Sequence, residues 1–343
     1  MHGHGDFSQL EVTDVSEPPI ADPGDVLVRL EAAALNHLDL WTLRGLPGIV
    51  LDFPHPLGAD GAGVVEAVGG HVRRIVPGEK VMINPGLSCY RCEFCRAGEH
   101  SLCQSFGLLG EHRPGTLAEY VVVPEQNLLP VPDLPHPQLS WPEAAAFSLV
   151  TLTAWRMLKT RARVQPGETV VIWGVGGGVS VTALAVAKLF GAFVIVTSSD
   201  DGKLARVRDL GADVTLNHRD VDVAREIRAL TGNRGVDVVV ENVGEATWDQ
   251  SLRLLARGGR LVTCGATTGP KVTLDVRRLF WNQWSIVGST MGTAAEYGEI
   301  VRLLGEGHLR PILDSTFPLD RAIDGLRRLE TAQQLGKIAI EIR

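Results

Sequence analysis

The sequence predicts an α/β protein of two domains, one of which contains a doubly wound parallel sheet. Its 343 residues are enough for two domains, and 45% hydrophobic against 21% charged residues supplies material for two cores. From residue 169 onward, short apolar runs rich in Val and Ile alternate with helical spacers. This alternation is typical of parallel strands whose crossover helices cover both faces of one sheet.

The strands of this sheet are predicted from their β-branched runs. The first is expected at 169–173, followed by a glycine-rich turn and a helix over 181–190. Later strands are predicted at 193–197, 236–240 and 259–263, with helical spacers between them. The order strand, glycine turn, helix is therefore expected at the start of the domain.

The glycine-rich turn predicts a dinucleotide-binding site. Glycines let the backbone approach a pyrophosphate, and the following helix offers free N–H groups and the positive end of its dipole. Simple turn chemistry in an α/β domain is the alternative. The residues expected to contact the cofactor here are Gly174, Gly176, Gly177, Gly178 and Val179.

Two further glycines, Gly265 and Gly288, each follow an apolar strand. At such positions the backbone can pass close to the nicotinamide ring, although a turn alone also explains a glycine. We predict both as cofactor contacts.

Cofactor choice is expected at the end of the second strand of this sheet. Proteins that bind NAD place an acidic residue there, whereas this chain has Ser198 and Ser199, with Lys203 one turn further on. A ribose phosphate would meet hydroxyls and a cation, which favours NADP(H). Because Asp200 and Asp201 stand close by in the sequence, NAD(H) remains the alternative.

Four of the five cysteines fall within fifteen residues and predict a metal site: Cys89, Cys92, Cys95 and Cys103. Two-residue spacers allow a folded-back loop to direct its sulfurs inward around zinc. Because four protein ligands close the tetrahedron, one structural zinc is expected. Two disulfides are the alternative, which the distant fifth cysteine, Cys264, disfavours, and His100 could replace one sulfur.

Charge and hydropathy argue against two classes of partner, nucleic acids and membranes. A net charge of −7, with Lys and Arg scattered along the chain, argues against nucleic acid. No apolar run is long and uninterrupted enough to span a membrane, and we see no signal peptide, so a cytoplasmic protein is expected.

Several motifs together resemble the medium-chain dehydrogenase/reductase superfamily, which includes zinc-containing alcohol dehydrogenases and quinone oxidoreductases. They are the cysteine lobe, the glycine turn, Gly58-Ala59-Asp60-Gly61-Ala62-Gly63, Gly115-Thr116-Leu117-Ala118-Glu119-Tyr120 and Leu210-Gly211-Ala212-Asp213. The resemblance implies a GroES-like, mostly β catalytic domain from 1–149 and 285–343, with the zinc lobe at 86–104. A Rossmann domain over 150–284 is inserted between them.

The resemblance also identifies the positions that hold the catalytic zinc in alcohol dehydrogenases of this superfamily. Here these positions carry Asn36, Ala59 and Leu149, none of which makes a zinc site. The segment 36–39 instead resembles the zinc-free quinone and enoyl reductase branch. That likeness implies that Asn36 and Asp39 organise the ribose and nicotinamide end of the cofactor. His37 is a candidate proton donor, with a packed, hydrogen-bonded histidine as the alternative.

The predicted function is therefore an NAD(P)H-dependent oxidoreductase that reduces a small molecule, a quinone or an α,β-unsaturated carbonyl, without catalytic zinc. One alternative is an alcohol dehydrogenase whose metal site is rebuilt from other ligands. The candidate ligands are Asp39, Asp60, His37, His55 and His112. A different class of alternative is a non-catalytic NADPH-binding sensor or structural protein.

Association is predicted from the apolar segment 280–287, which contains Trp281 and Trp284. In this superfamily the corresponding segment joins two dinucleotide domains, so a homodimer or homotetramer is expected. Burial of both tryptophans in the core is the alternative.

Overall fold

A computed structural model describes residues 1–134 and 137–343. The chain forms two compact units: the first comprises Met1–Leu152 and Met291–Arg343, and the second is Thr153–Thr290. The boundaries predicted at 149/150 and 284/285 therefore both lie later in the chain. The second one moves because the strand Ser285–Gly288 pairs with the sheet of the second unit and not with the C-terminal tail.

The first unit is built on a mainly antiparallel sheet. Its strands are β1 (Asp25–Ala34), β2 (Asp60–Val68), β3 (Lys80–Ile83), β6 (Tyr120–Pro124), β7 (Leu128–Pro130), β14 (Leu313–Pro318) and β15 (Lys337–Glu341). The two short strands of a separate hairpin-like pair are β4 (Gly86–Leu87) and β5 (Gly107–Leu108).

Strand β1 is the centre of this sheet. Within the described residues the order is β14-β15-β1-β2-β3-β7, with β6 also paired to β1. β1 pairs with β15 in the register Ala33↔Ile340, so the C-terminal tail completes a sheet begun near the N-terminus. Apolar side chains of β1, β2, β3 and β6 form one core cluster, and β15 contributes to a second.

The second unit contains the predicted parallel sheet. Its strands are β8 (Thr169–Ile172), β9 (Phe193–Ser198), β10 (Val214–Asn217), β11 (Val236–Glu241), β12 (Leu255–Thr263) and β13 (Ser285–Gly288). In the described part of the chain the order is β10-β9-β8-β11-β12-β13, and every pairing is parallel. In chain order this is 3-2-1-4-5-6, the arrangement of dinucleotide-binding sheets.

The helices lie mainly between strands. They are α1 (His37–Arg44), α2 (Glu93–Arg96), α3 (Trp141–Trp155), α4 (Gly178–Leu189), α5 (Asp201–Asp209), α6 (Val223–Leu230), α7 (Glu245–Leu254), α8 (Val276–Asn282), α9 (Ala294–Gly305) and α10 (Ala322–Glu330). α3 continues into a π-helical turn over Arg156–Arg161. No helix among the described residues is both long and apolar enough to cross a membrane.

The central strands of the parallel sheet show why the prediction from apolar runs succeeds. In β11 every residue except Asp237 is buried. Strands covered by helices on both faces need apolar side chains in both directions, so Val and Ile form continuous runs and do not alternate with polar residues.

Candidate functional site

The four predicted zinc ligands lie together in one loop. The ligand atoms of Cys89, Cys92, Cys95 and Cys103 all lie within 4.8 Å of one another, and Sγ of Cys89 is 4.0 Å from Sγ of Cys95. Zinc–sulfur bonds of about 2.3 Å in a tetrahedron place sulfurs about 3.8 Å apart. The arrangement therefore fits a tetrahedral thiolate site. All four thiols are free, and the 4.0 Å separation is far from a disulfide bond of about 2.05 Å.

Backbone donors prepare two of these thiols for metal binding. N–H groups of Arg91 and Cys92 lower the pKa of Cys89 to about 6. The pKa of Cys92 is also lowered, by backbone N–H groups of Cys95 and Gln104. In the absence of metal, burial raises the pKa of Cys95 to about 12, so binding of zinc would release its proton. His100 is not a member of this ligand group, and its Nδ1 accepts a hydrogen bond from the Ala294 N–H at 3.3 Å.

The glycine turn leaves the start of helix α4 open. Gly177 caps the helix without a side chain, and a Cβ at this position would meet nothing within 4 Å. Gly174 has a φ of 62°, which favours glycine, and its N–H donates to Oγ1 of Thr197 at 3.2 Å. Ser180, where the glycine pattern has its third member, is fully buried and donates to the Trp173 carbonyl. These features fit a pyrophosphate at the helix N-terminus.

The other predicted cofactor residues follow the same edge of the sheet. Ser198 ends β9, Gly265 follows β12, and Gly288 ends β13. The carboxyl ends of parallel strands are where doubly wound sheets bind their ligands. The second unit thus brings the predicted dinucleotide contacts to one edge.

Both acidic residues after β9 are engaged within the protein. Asp200 caps helix α5, with Oδ1 accepting from the Lys203 N–H at 2.9 Å. Oδ1 of Asp201 accepts from Nδ2 of Asn217 at 2.9 Å. Ser199 is half-buried between β9 and the helix cap.

Asn36 and Asp39 lie at the start of helix α1, which follows strand β1. Asp39 is buried, and its carboxylate accepts from the N–H groups of Asn36 at 2.7 Å and Gly58 at 3.0 Å. Desolvation raises the pKa of Asp39 to about 6, although these N–H groups and nearby Lys337 act in the opposite direction. Asp39 therefore ties the first turn of α1 to the loop that precedes β2.

A buried lysine stands at the centre of this cluster. Nζ of Lys337, the first residue of β15, lies 2.6 Å from Oδ1 of Asn36 and 2.9 Å from Oδ2 of Asp60. The Asp60 side chain is fully buried and that of Lys337 is 3% exposed. Sequence patterns do not indicate this ion pair, because the two residues are 277 positions apart.

The three positions that resemble catalytic zinc ligands surround Asp60. Oδ2 of Asp60 accepts from Nδ2 of Asn36 at 3.0 Å, and Oδ1 accepts from the Leu149 N–H at 2.8 Å. Ala59 precedes Asp60 in the chain. Within residues 1–134 and 137–343, the four cysteines are the one group of three or more potential metal ligands that lie close together.

His37 is the first residue of α1 and is partly buried. Its pKa is lowered by desolvation, and secondarily by Lys337 and Arg44, so the imidazole is neutral at pH 7. Its ring centroid lies 6.3 Å from that of Trp41. A neutral imidazole offers one N–H donor and one acceptor nitrogen.

Known proteins resemble this chain over its whole length. Residues 178–306 match the family profile described as zinc-binding dehydrogenase, and residues 22–133 match the alcohol dehydrogenase GroES-like domain. A zinc-type alcohol dehydrogenase-like protein of Schizosaccharomyces pombe is 31% identical, with 98% of this chain and 96% of the relative covered. A crotonyl-CoA carboxylase/reductase of Cereibacter sphaeroides is 30% identical over 92% of this chain and 79% of the relative.

A solved structure gives a closer likeness. A crystal structure of an NAD-dependent alcohol dehydrogenase superimposes with a TM-score of 0.94 at 46% identity, covering 100% of this chain and 98% of that one. The parallel sheet, its open glycine turn and these relatives define the protein as an NAD(P)-dependent oxidoreductase. The chain belongs to the zinc-type alcohol dehydrogenase family of the medium-chain dehydrogenases/reductases, and its predicted GroES-like and Rossmann folds are confirmed.

Proposed function

We propose that this enzyme reduces quinones or α,β-unsaturated carbonyls by hydride transfer from NADPH, without a catalytic zinc. The proposal rests on one observation: the positions that resemble catalytic zinc ligands carry Asn36, Ala59 and Leu149. An unactivated ketone or alcohol needs the several kcal/mol that metal polarisation contributes, whereas a conjugated carbonyl spreads the incoming charge over its own atoms. The relative from Cereibacter sphaeroides, named for crotonyl-CoA, supports an unsaturated substrate.

A nicotinamide cofactor would supply the hydride when bound, and we assign the polar groups that act on the substrate to side chains of the first unit. Oδ1 of Asn36 accepts from Lys337, and its Nδ2 donates to Asp60 and to the Ala34 carbonyl. We therefore infer that Asn36 and Asp39 organise the site without contacting the substrate themselves. His37, neutral at pH 7, is the donor that we assign to the substrate oxygen.

NADP(H) is the cofactor that we propose, with NAD(H) as the competitor. Ser198 and Ser199 stand where an acidic residue would repel a ribose phosphate, and Asp200 and Asp201 are held by Lys203 and Asn217. The name of the solved relative at 46% identity, an NAD-dependent enzyme, favours the competitor. Kinetics with both cofactors decides between them.

One structural zinc is proposed for the four-cysteine lobe, whose geometry is described above. Five free cysteines suit a reducing compartment, and the cytoplasm is the location that we propose.

Self-association through the second unit is also proposed. Among the described residues β13 is an edge strand. Helix α8, which precedes it in the chain, exposes Val276 (60%), Phe280 (64%) and Trp281 (68%). Trp284 is buried and donates from Nε1 to the Ala256 carbonyl at 2.9 Å, so the predicted apolar segment divides between core and surface. An exposed aromatic patch on one helix and an open strand edge in the same unit favour a homodimer or a dimer of dimers.

The test combines metal analysis with a substrate panel. Zinc per chain is measured on protein purified free of loosely bound metal, and NADPH oxidation is followed with quinones, enones and simple ketones. One zinc with reduction of enones or quinones is the expected result. Two zincs with alcohol oxidation would support a rebuilt catalytic metal site. Tight NADPH binding without any turnover would support a sensor.

A further inference from the structure

The lysine at the start of β15 is unusual because its charged side chain is almost completely buried. The Lys337 side chain is 3% exposed, and Nζ has three acceptors: the Leu35 carbonyl at 2.7 Å, Oδ1 of Asn36 at 2.6 Å and Oδ2 of Asp60 at 2.9 Å. An ammonium has three donors, so all of them are used. Burial of a charge is costly unless it is paired and fully hydrogen-bonded, and both conditions are met here.

This ammonium fixes the orientation of Asn36. Because Oδ1 faces Nζ, Nδ2 must face the opposite way, where it donates to Asp60 at 3.0 Å and to the Ala34 carbonyl at 3.3 Å. Lys337 therefore sets both the position of the Asn36 amide and the geometry at the start of α1, the helix that carries His37.

The same ammonium reaches the other two ligand-like positions through Asp60. Oδ2 of Asp60 accepts from Lys337, while Oδ1 accepts from the Leu149 N–H at 2.8 Å, and Ala59 is the preceding residue. One cation thus connects the start of α1, the start of β2 and helix α3.

We propose that Lys337 is a positioning residue, whose buried ammonium holds the active-site segments of Asn36, Asp60 and Leu149 together where zinc-dependent relatives use a metal ion. It touches neither substrate nor cofactor, and it acts through Asn36 and Asp60. The inference rests on the proposed function only in that this site carries out hydride transfer. It does not depend on the identity of the substrate.

The test separates positioning from stability with three variants: Lys337→Met, Asp60→Asn and the double variant. Each single variant leaves one buried charge without its opposite charge, so both are expected to unfold more readily than the double variant, which removes both charges. Turnover should follow a different order. Asp60→Asn keeps the hydrogen bonds from Lys337 to Asn36 and to the Leu35 carbonyl, so its kcat should exceed that of both variants lacking Lys337. In those two variants kcat should fall about 10- to 100-fold from the wild-type value, with little change in KM for NADPH.

Equal kcat for the double variant and Asp60→Asn would overturn the inference, as would recovery of turnover in parallel with stability. Lys188→Met, which removes a surface lysine paired with Asp213 at 2.7 Å, serves as the control and should retain wild-type kcat. Turnover is measured with whichever enone, quinone or alcohol the wild type uses. If the proposed substrate class is wrong, the wild type shows it, and the comparison among variants still tests the role of Lys337.

A crystal structure of the double variant adds a readout that does not need turnover. Without the ammonium, Oδ1 of Asn36 is expected to leave its position. An Asn36 amide that stays unchanged would contradict the role of Lys337.

Discussion

Oγ of Ser251, on helix α7, donates a 2.6 Å hydrogen bond to Oε2 of Glu241, the last residue of strand β11, and both side chains are fully buried. The same carboxylate accepts from Oγ1 of Thr247 and from the N–H groups of Val243 and Gly244. One carboxylate therefore joins the end of a central strand to the helix that follows it.

Replacement of Glu241 by Ala should destabilise the protein by about 3 kcal/mol or more, because four donors, two of them on buried residues, lose their acceptor. Glu241→Gln should cost about 1 kcal/mol, since its amide oxygen still accepts and the hydroxyls of Ser251 and Thr247 can rotate. Chemical unfolding followed by fluorescence measures both. Equal losses would show that the acceptor network contributes little.

Removal of one zinc ligand should empty the cysteine lobe. Cys103→Ser is expected to lower bound zinc from about one per chain to near zero, because three thiolates bind far more weakly than four. Cys264→Ser, which changes a cysteine outside the lobe, should retain the metal. Elemental analysis after gel filtration distinguishes them, and loss of zinc from both variants would contradict the assignment.

The buried carboxyl of Asp39 should make stability depend on pH. Its pKa of about 6 in the folded state exceeds the value of about 3.9 expected in the unfolded chain, so the folded state retains a proton that the unfolded state has lost. The free energy of unfolding should therefore fall by about 2–3 kcal/mol from this group as pH rises from about 4 to 6.

Asp39→Asn cannot ionise and should flatten this slope in urea titrations between pH 4 and pH 7. The variant will also be less stable overall, because an amide offers a single oxygen to the N–H groups of Asn36 and Gly58. Asp249→Asn, at an exposed carboxyl, is the control. An unchanged slope in Asp39→Asn would assign the pH dependence to another group.

A carboxylate at the end of β9 should weaken binding of NADP(H). Ser199→Asp is expected to lower kcat/KM for NADPH at least about tenfold and to change kcat/KM for NADH little. The reason is that the new carboxylate repels the ribose phosphate, which NADH lacks. Ser16→Asp, at an exposed site in the first unit, should change neither value. Equal losses with both cofactors would place the phosphate elsewhere.

The exposed face of α8 should be needed for association. The double substitution Phe280→Glu and Trp281→Glu places charge in the proposed interface. It should convert the oligomer to a monomer, as measured by sedimentation velocity. Leu230→Glu changes a residue of similar exposure on α6 and should leave the oligomer intact. A wild-type protein that sediments as a monomer would refute the interface itself.

The sequence predicts the features that depend on neighbouring residues. Strands β8, β9 and β11 follow from apolar runs, the open turn at Gly177 from its glycines, and the clustered thiols from cysteine spacing. Each is set by residues within a few positions of one another, so local pattern is enough.

Features set by distant partners could not be predicted in this way. Lys337 begins an ordinary apolar strand, and its acceptor on Asn36 lies 301 positions away. Likewise, the short run of β13 is compatible with either sheet, and only its pairing with β12 assigns it to the second unit. Burial of Trp284 beside exposed Trp281 depends on the same pairing.

The place of β15 in the first sheet has a consequence for biosynthesis. β1 is translated before the second unit, whereas its neighbour β15 is translated after it. The second unit is continuous in the chain and can fold while translation proceeds, whereas the first unit must wait with the β1 edge open. A nascent chain interrupted before residue 337 would therefore carry a finished second unit and an unfinished first one, a form for chaperones and proteases to recognise.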